Sequence, residues 1–206
     1  MSDLQRVGPV FGGTGTAPPF TADITGAQRV QDAHGRYFDT ASRNQVFFAA
    51  NQAGQTTTVG LATTYVGCVV SNPVGSSVNL VINKIGWMET VIASAVNGVG
   101  IAVGYNATTN VTHTTPLNVN GTRFMGTNNG GVARADSSAT LPTAPVYYMF
   151  MDDTPTATTN PKGGIVDLEG SLIIPPGGYV CTVTTAASPA AAFWASIQWE
   201  ELPILT

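Results

Sequence analysis

The chain has 206 residues, of which 43% are apolar but only 10% are charged, against about 25% in typical soluble proteins. Its polar surface must therefore come mainly from neutral groups, which 28 Thr, 13 Asn and 11 Ser supply. This balance argues against coiled coils and helical bundles, whose surfaces depend on Glu, Lys and Arg. A net charge of −4 with eight basic residues argues against a nucleic-acid groove, which needs a cluster of positive charge.

Residues 1–27 are predicted to form an extended N-terminal arm. Gly8-Pro9, Gly12-Gly13 and Pro18-Pro19 interrupt any helix or strand, and the segment is nearly uncharged. The isolated Phe11 and Phe20 suggest that the arm lies on its own domain or on a neighbour, and a disordered tail is the alternative. No cationic start with an apolar stretch is present, so a secretory signal is not expected, and no window reaches the ~18 apolar residues of a membrane span.

Residues 28–206 are predicted to form one all-β domain, because turn signals recur at short intervals and helical periodicity is nearly absent. The helix candidate, Pro189–Trp194, is shorter than the ~12 residues that an isolated helix needs. About ten short strands favour an antiparallel β-sandwich or barrel. The strands are predicted at 29–32, 36–40, 45–50, 56–61, 64–71, 78–88, 146–151, 165–174, 179–185 and 193–202, with two more within 91–105.

Two features interrupt this pattern of strands and turns. Residues 106–143 are rich in Thr, Asn and Gly without a sustained period, so a long loop excursion is predicted there, and loops of that length are usually functional or ordered by a partner. Cys68 and Cys181 lie in two apolar runs, which allows a disulfide between strands or two buried free thiols. We favour free thiols, because cytoplasmic chains rarely keep disulfides.

The alternation of apolar and polar residues also predicts which side chains are buried. Strands that are half-buried should direct every second residue into the core. The predicted core residues are Val69, Leu80, Ile82, Trp87, Ile101, Tyr147, Leu172, Ile174, Val183 and Trp199.

The sequence shows no constellation of catalytic residues. His34 and His113 are the two histidines, and neither has a partner at a recognisable spacing. No Gly-x-Ser-x-Gly elbow, phosphate loop or His-Glu-x-x-His helix is present. We therefore predict no enzymatic activity, no cofactor and no metal site. A hydrolase that uses His113 or His34 with a carboxylate is the weakest of three hypotheses.

Other candidate sites are explained more simply by structure. Asp152-Asp153 lacks a repeating pattern of oxygen ligands, so a turn is favoured over a calcium site. The glycines of residues 98–104 lie in strand-like sequence, so they do not form a dinucleotide-binding turn. The aromatic residues of the strands could form a sugar-binding platform, although core or subunit-interface positions are commoner. They are Trp87, Trp194, Trp199, Tyr147 and Tyr148.

The turn-rich arm, the domain poor in charge and the long Thr/Asn loops occur together with Ser171–Tyr179 (SLIIPPGGY) and Trp199–Ile204 (WEELPI). In these features the chain resembles structural proteins of tailed-bacteriophage virions, in particular capsid decoration (cement) or head-spike proteins with a jelly-roll body. The Leu-Ile-Ile-Pro-Pro-Gly-Gly-Tyr segment is also similar to tumour-necrosis-factor-like jelly rolls, which form trimers. The resemblance covers roughly residues 28–206.

This resemblance implies a non-enzymatic protein that decorates or stabilises a viral shell by binding the capsid surface and its own copies. The implied partners are the major capsid protein or another virion protein and a homo-oligomer, a trimer first and a dimer second, with no nucleic acid or membrane. The implied location is the virion, after synthesis in the host cytoplasm. Interface residues are predicted at Phe11, Phe20, Arg29, Arg36 and Trp194. The alternative is a carbohydrate- or receptor-binding head that uses residues 106–143.

Overall fold

The structure is a computed structural model, and it describes residues 36–91, 95–123, 131–154 and 162–204. The chain divides into two compact units, residues 1–36 and residues 37–206, and every helix and strand described below belongs to the second. The predicted arm, with Phe11 and Phe20, lies outside the described residues, as do Arg29 and His34.

The described residues form one short helix and eleven strands. Helix α1 spans Phe38–Ser42. The strands are β1 Val46–Ala50, β2 Thr64–Ser71, β3 Val78–Glu89, β4 Asn97–Tyr105, β5 Thr112–Leu117, β6 Asn120–Gly121, β7 Arg134–Thr140, β8 Val146–Thr154, β9 Lys162–Ile174, β10 Gly178–Thr184 and β11 Phe193–Pro203.

The strands build two antiparallel sheets that pack face to face, which confirms the predicted all-β sandwich. One sheet has the order β6-β1-β11-β3-β9 and the other β5-β7-β2-β10-β4-β8. With β5, β6 and β7 set aside, the two sheets are β1-β11-β3-β9 and β2-β10-β4-β8, which is the strand order of a jelly roll. Strands β5 to β7 are therefore an insertion between the fourth and fifth strands of that framework.

The core lies between the two sheets and follows the period-two pattern of the strands. In β11 the odd-numbered residues from Phe193 to Glu201 are buried and the even-numbered ones are more exposed. Trp199 is fully buried, and its ring centroid lies 6.4 Å from that of Phe47 on β1. Nine of the ten predicted core residues are buried. The prediction for Tyr147 is wrong: its side chain is 39% exposed, because β8 is an edge strand.

The six-stranded sheet is buried on both faces at its centre. Every residue of β10 is buried. Strand β2 is buried from Gly67 onward, as its nearly continuous apolar run predicts. The outer face of β2 and β10 carries a second apolar cluster that contains Val69, Cys181 and Val183. Val111 and Leu141, which flank the inserted strands, complete this cluster.

The two cysteines are free and buried, as predicted. Cys68 belongs to the core between the sheets, whereas Cys181 belongs to the outer cluster, so the two side chains lie on opposite faces of neighbouring strands. Side chains that point to opposite faces cannot form a disulfide without backbone movement. Burial raises the pKa of the Cys68 thiol to about 12 and also raises that of Cys181, so both thiols stay protonated and unreactive.

The prediction of a strandless excursion at residues 106–143 is wrong, because β5, β6 and β7 lie within it. Strand β7 pairs with β2 on one side and with β5 on the other, and its Ala135 and Ala139 are buried. The buried residues of β7 are small or polar, so the sequence lacks the large apolar residues that usually identify a buried strand.

Three local predictions are also corrected. Residues 36–40 do not form a strand, because α1 begins at Phe38, and residues 56–61 make only one isolated bridge, at Val59. Residues 97–105 form the single strand β4 where two strands were predicted within 91–105. Pro189–Trp194, predicted to be too short for a helix, is a turn followed by the start of β11, where Phe193 pairs with Glu89 and is buried in the core.

The predicted corner at Pro175–Gly178 is confirmed, and the backbone at position 177 requires glycine. Gly177 has a φ of +84°, and a Cβ there would collide with the carbonyl oxygen of Asn106. Its N–H donates to the Asn72 carbonyl, and its own carbonyl accepts from the Asn106 N–H. One glycine thus ties the β9–β10 corner to the β2–β3 turn and to the end of β4.

We predict that Trp199→Ala lowers the free energy of unfolding by about 3–5 kcal/mol, because it leaves a large cavity between the sheets. It also removes the indole N–H that donates to the Glu201 carboxylate. Urea denaturation measures the change. Ile173→Ala, at an exposed position on β9, is the control and should change stability by less than about 0.5 kcal/mol. Equal stabilities for the two variants would contradict the proposed core.

Candidate functional sites

A run of exposed apolar residues lies on β8, the last strand of the six-stranded sheet. No described strand pairs with its outer side. Five consecutive residues, Val146–Phe150, are exposed, from 39% for Tyr147, Tyr148 and Met149 to 61% for Phe150. We call these five residues the β8 strip. In a regular strand of a sandwich, every second residue would be buried against the other sheet, so this run is unusual.

Two irregularities of pairing explain why neighbouring residues of the β8 strip are exposed together. The register with β4 shifts between Ile101 and Ala102 and again between Val99 and Gly100, so β8 carries extra residues at Tyr148 and Met151. A bulge interrupts the alternation of side chains. Tyr147 and Phe150, three residues apart, therefore come together, with ring centroids 4.9 Å apart.

Charged groups begin only where the β8 strip ends. Asp152 and Asp153 follow it on the same strand. The Lys162 ammonium lies 3.6 Å from the Asp152 carboxylate and donates to the Asp153 carbonyl. Asp152 and Asp153 lie within strand β8, paired with Val99 and Gly98 of β4, so the prediction of a turn at these two residues is wrong. The described residues contain no group of three His, Cys, Asp or Glu side chains suited to a metal ion.

A second candidate site is an open cavity of about 650 Å³ on the outward face of the five-stranded sheet. Its lining includes the small residues Gly86 and Ser196 and the larger Met88, Ile165 and Trp194. We call it the outer groove. Trp194 was predicted at an interface, and the structure places its half-buried indole here, with an N–H that has no hydrogen-bond partner. Volume and apolar lining are in the range of small-molecule sites.

Asn51 gives the outer groove a polar component. It is among the lining residues, it is 5% exposed, and neither atom of its amide has a hydrogen-bond partner. A buried amide without a partner is costly, on the order of 1–3 kcal/mol. Asn51 and Trp194 thus place unpartnered polar atoms beneath the surface of the groove, where neighbouring side chains shield them from solvent. Trp87, also predicted for a sugar platform, is buried in the core and reaches the groove only at its rim.

The third candidate site joins His113 on β5 to Asp136 on β7. The His113 Nδ1 lies 2.5 Å from Asp136 Oδ2, and the Asp136 side chain is fully buried. Its other oxygen, Oδ1, has no partner. Burial raises the pKa of Asp136, and the hydrogen bond and charge of His113 and the charge of Arg134 oppose that shift. The sequence did not pair these residues, because the β5–β7 pairing that joins them was not foreseen.

The hydrolase hypothesis requires a histidine beside a carboxylate, and this pair meets that requirement. His113 and Arg134 also line a cavity of about 400 Å³. Among its lining residues that the structure describes there is no Ser, Thr or Cys to act as a nucleophile. In this arrangement His113 supplies a hydrogen-bond partner to a carboxylate that is buried away from water.

Of the predicted interface residues, Arg36 is exposed just before α1. The neighbouring carboxylates of β11 have different partners: Glu200 accepts from the Thr40 hydroxyl, while Glu201 accepts from two backbone N–H groups of residues 132 and 133. Within the described part of the chain, no helix has the length and apolar character to cross a membrane.

We predict that His113→Ala makes stability fall as pH rises from about 4 to 7. Burial raises the pKa of Asp136 in the folded state above the ordinary value near 3.8 that this carboxyl has in the unfolded chain. The variant lacks the histidine that opposes this rise in pKa. At neutral pH the loss should be about 1–3 kcal/mol relative to the parent. Urea midpoints across this pH range measure it.

The matched control for this pH dependence is the double variant His113→Ala, Asp136→Asn. Asparagine keeps the shape of the Asp136 side chain but cannot ionise, so the additional dependence of stability on pH should disappear. A slope that persists in the double variant would contradict the assignment of the slope to Asp136.

Comparison with known proteins gives this chain no relatives. No protein-family model, no curated protein and no solved structure matches it. What the chain does must therefore be inferred from its own surfaces, of which the β8 strip and the outer groove are the most distinctive.

Proposed function

We propose that this chain is a non-enzymatic structural protein of a viral (phage) particle. It binds the capsid surface and its own copies, and so decorates or stabilises the shell. The observation that carries the proposal is the β8 strip: an uncharged run of aromatic and aliphatic side chains, exposed on the open edge of a sheet.

The composition of the β8 strip is that of a protein interface. Tyr, Phe and Met are enriched in the buried centres of interfaces, and charged residues are depleted there. Sheet edges that stay in solvent usually carry Lys, Pro or inward charges, because an open apolar edge promotes aggregation. None of these devices occurs in the strip, so its chemistry fits a surface that is covered in the assembled protein.

The rest of the protein is suited to crowding against neighbours. A chain with 10% charged residues can be packed at high local density without strong like-charge repulsion. The jelly-roll framework packs the inner faces of its two sheets against each other. In this proposal the partners are the major capsid protein or another virion protein and further copies of the chain, and the protein resides in the virion after synthesis in the host cytoplasm. Phe11, Phe20, Arg29 and Arg36 remain predicted interface residues.

We predict that the full chain co-sediments with particles of the virus that encodes it when those particles are prepared without it. Tyr148→Ser with Phe150→Ser should weaken this binding at least about tenfold, whether the β8 strip contacts the shell or joins the copies that bind the shell together, because loss of aromatic side chains at an interface centre costs more than ~1 kcal/mol. The control is Ile173→Ser, at a similarly exposed position on β9. Failure of the parent protein to bind particles would contradict the proposal.

The second candidate function is a carbohydrate- or receptor-binding head, and the outer groove is the observation that favours it. A sugar ring can stack its C–H face on an indole and exchange hydrogen bonds with neutral amides and hydroxyls. The half-buried Trp194 ring and the exposed Ser196 side chain offer a stacking face and a hydroxyl, and both lie on β11, away from the 106–143 segment where this function was first expected.

For this second function, we predict a signal on a glycan array that Trp194→Ala abolishes. Tyr105→Ala, an exposed aromatic position on β4 outside the groove, is the matched control and should retain the signal. An array with no binding by the parent protein would remove the support that the groove gives to a carbohydrate ligand.

A further inference from the structure

We infer that the occupant of the β8 strip is the β8 strip of a second copy, with the two strands antiparallel across a twofold axis. This inference rests on the self-association in the proposed function and names its surface, partner and symmetry. It differs from the trimer that the resemblance places first.

The first argument is that no other described sheet edge matches the β8 strip. Strand β5 carries Pro116, which cannot donate a backbone hydrogen bond, and β6 has two residues. Strand β9 carries Asp167 and Glu169 and is distorted by positive φ angles at Glu169 and Gly170. These edges have the features that protect a sheet from pairing. Among the described edges the β8 strip is matched only by itself, and when a surface pairs with the same surface of a second copy the contact is isologous and twofold.

The second argument concerns the direction of the strands. Asp152 and Asp153 lie just beyond one end of the strip, and Ala144 and Pro145 precede the other end. Parallel pairing would place both carboxylates beside their own copies, which is destabilising for like charges directly opposite each other. Antiparallel pairing places them opposite the uncharged end of the partner. Charge therefore selects the antiparallel arrangement.

The third argument concerns which groups carry the contact. The extra residues at Tyr148 and Met151 interrupt the regular spacing of backbone groups along β8. A long continuous hydrogen-bond ladder between two copies is therefore disfavoured, and side chains supply most of the buried area. Tyr148 is the central residue of the strip, so symmetry places it closest to the twofold axis, where it meets its own copy.

The test measures the mass of the full chain in solution, by light scattering after gel filtration and by sedimentation equilibrium. The parent protein should have twice the chain mass of 21.3 kDa. Tyr148→Lys and Phe150→Lys should each raise the dissociation constant at least about tenfold, since they place like charges near the axis. Ile173→Lys, which adds the same charge at an exposed site on β9, should remain a dimer.

A mixing experiment separates loss of contact from loss of folding. Tyr148→Lys and Tyr148→Glu should each be monomeric alone, with the circular dichroism and thermal midpoint of the parent, and should recover the dimer mass when combined. If the Lys variant does not fold, Phe150→Ser replaces it and should weaken the dimer without adding charge. Variants that fold but fail to form a mixed dimer would overturn the inference.

Other occupants give other results. A parent trimer, or a dimer that the β8 variants leave intact, would overturn the twofold contact. A parent monomer whose Lys variants are less stable would assign the strip to another segment of the same chain. A parent monomer whose β8 variants no longer co-sediment with particles would assign it to a shell protein, which would overturn this inference and support the proposed function.

Discussion

The constraint on which this structure depends is that β2 and β10, at the centre of the six-stranded sheet, have no face in solvent. Their inner face packs on the five-stranded sheet around Trp199, and their outer face needs a cover of its own. Loops and an insertion provide that cover, through Val111 and Leu141. The insertion between β4 and β8 is thus part of the core, and it buries the Cys181 face of the sheet.

Scarcity of charge changes how the buried polar groups are satisfied. Neutral hydroxyls and amides form hydrogen bonds with them: the Thr57 and Thr184 hydroxyls lie 2.6 Å apart, and the Asn72 side-chain amide donates to the carbonyls of Val78 and Ile174. The few buried carboxylates each have a specific partner, and Asp136 with His113 is the most demanding case. Neutral hydrogen bonds therefore hold the loops onto the sheets, and the surface is left with little charge.

The scarcity of charged residues extends to one sheet edge, at the β8 strip, which is apolar and exposed. The covers that bury β2 and β10 do not extend to β8, whose apolar residues stay exposed. A monomer gains nothing from a strip of Tyr, Met and Phe in water, whereas an assembled particle gains buried aromatic area and geometric specificity. The same reasoning separates the strip from the outer groove: the strip offers an apolar ridge to a protein, and the groove offers the Trp194 ring and the exposed Ser196 hydroxyl to a small polar ligand.

The sequence by itself determined the elements whose cause is local. The alternation from Phe193 to Glu201, the continuous apolar run of β2 and the Pro175–Gly178 corner each specify a strand or a turn through neighbouring residues, and the structure confirms them. Burial of nine predicted core residues follows from the same period of two. Only the tertiary structure decided what depends on distant partners. Strand β7 is buried because β2 and β5 enclose its alanines, the exposure of Tyr147 follows from its place on an edge strand, and His113 meets Asp136 only through the β5–β7 pairing. The alternation of apolar and polar residues indicates to which face of a strand a side chain points, but it does not indicate which strand lies beside it.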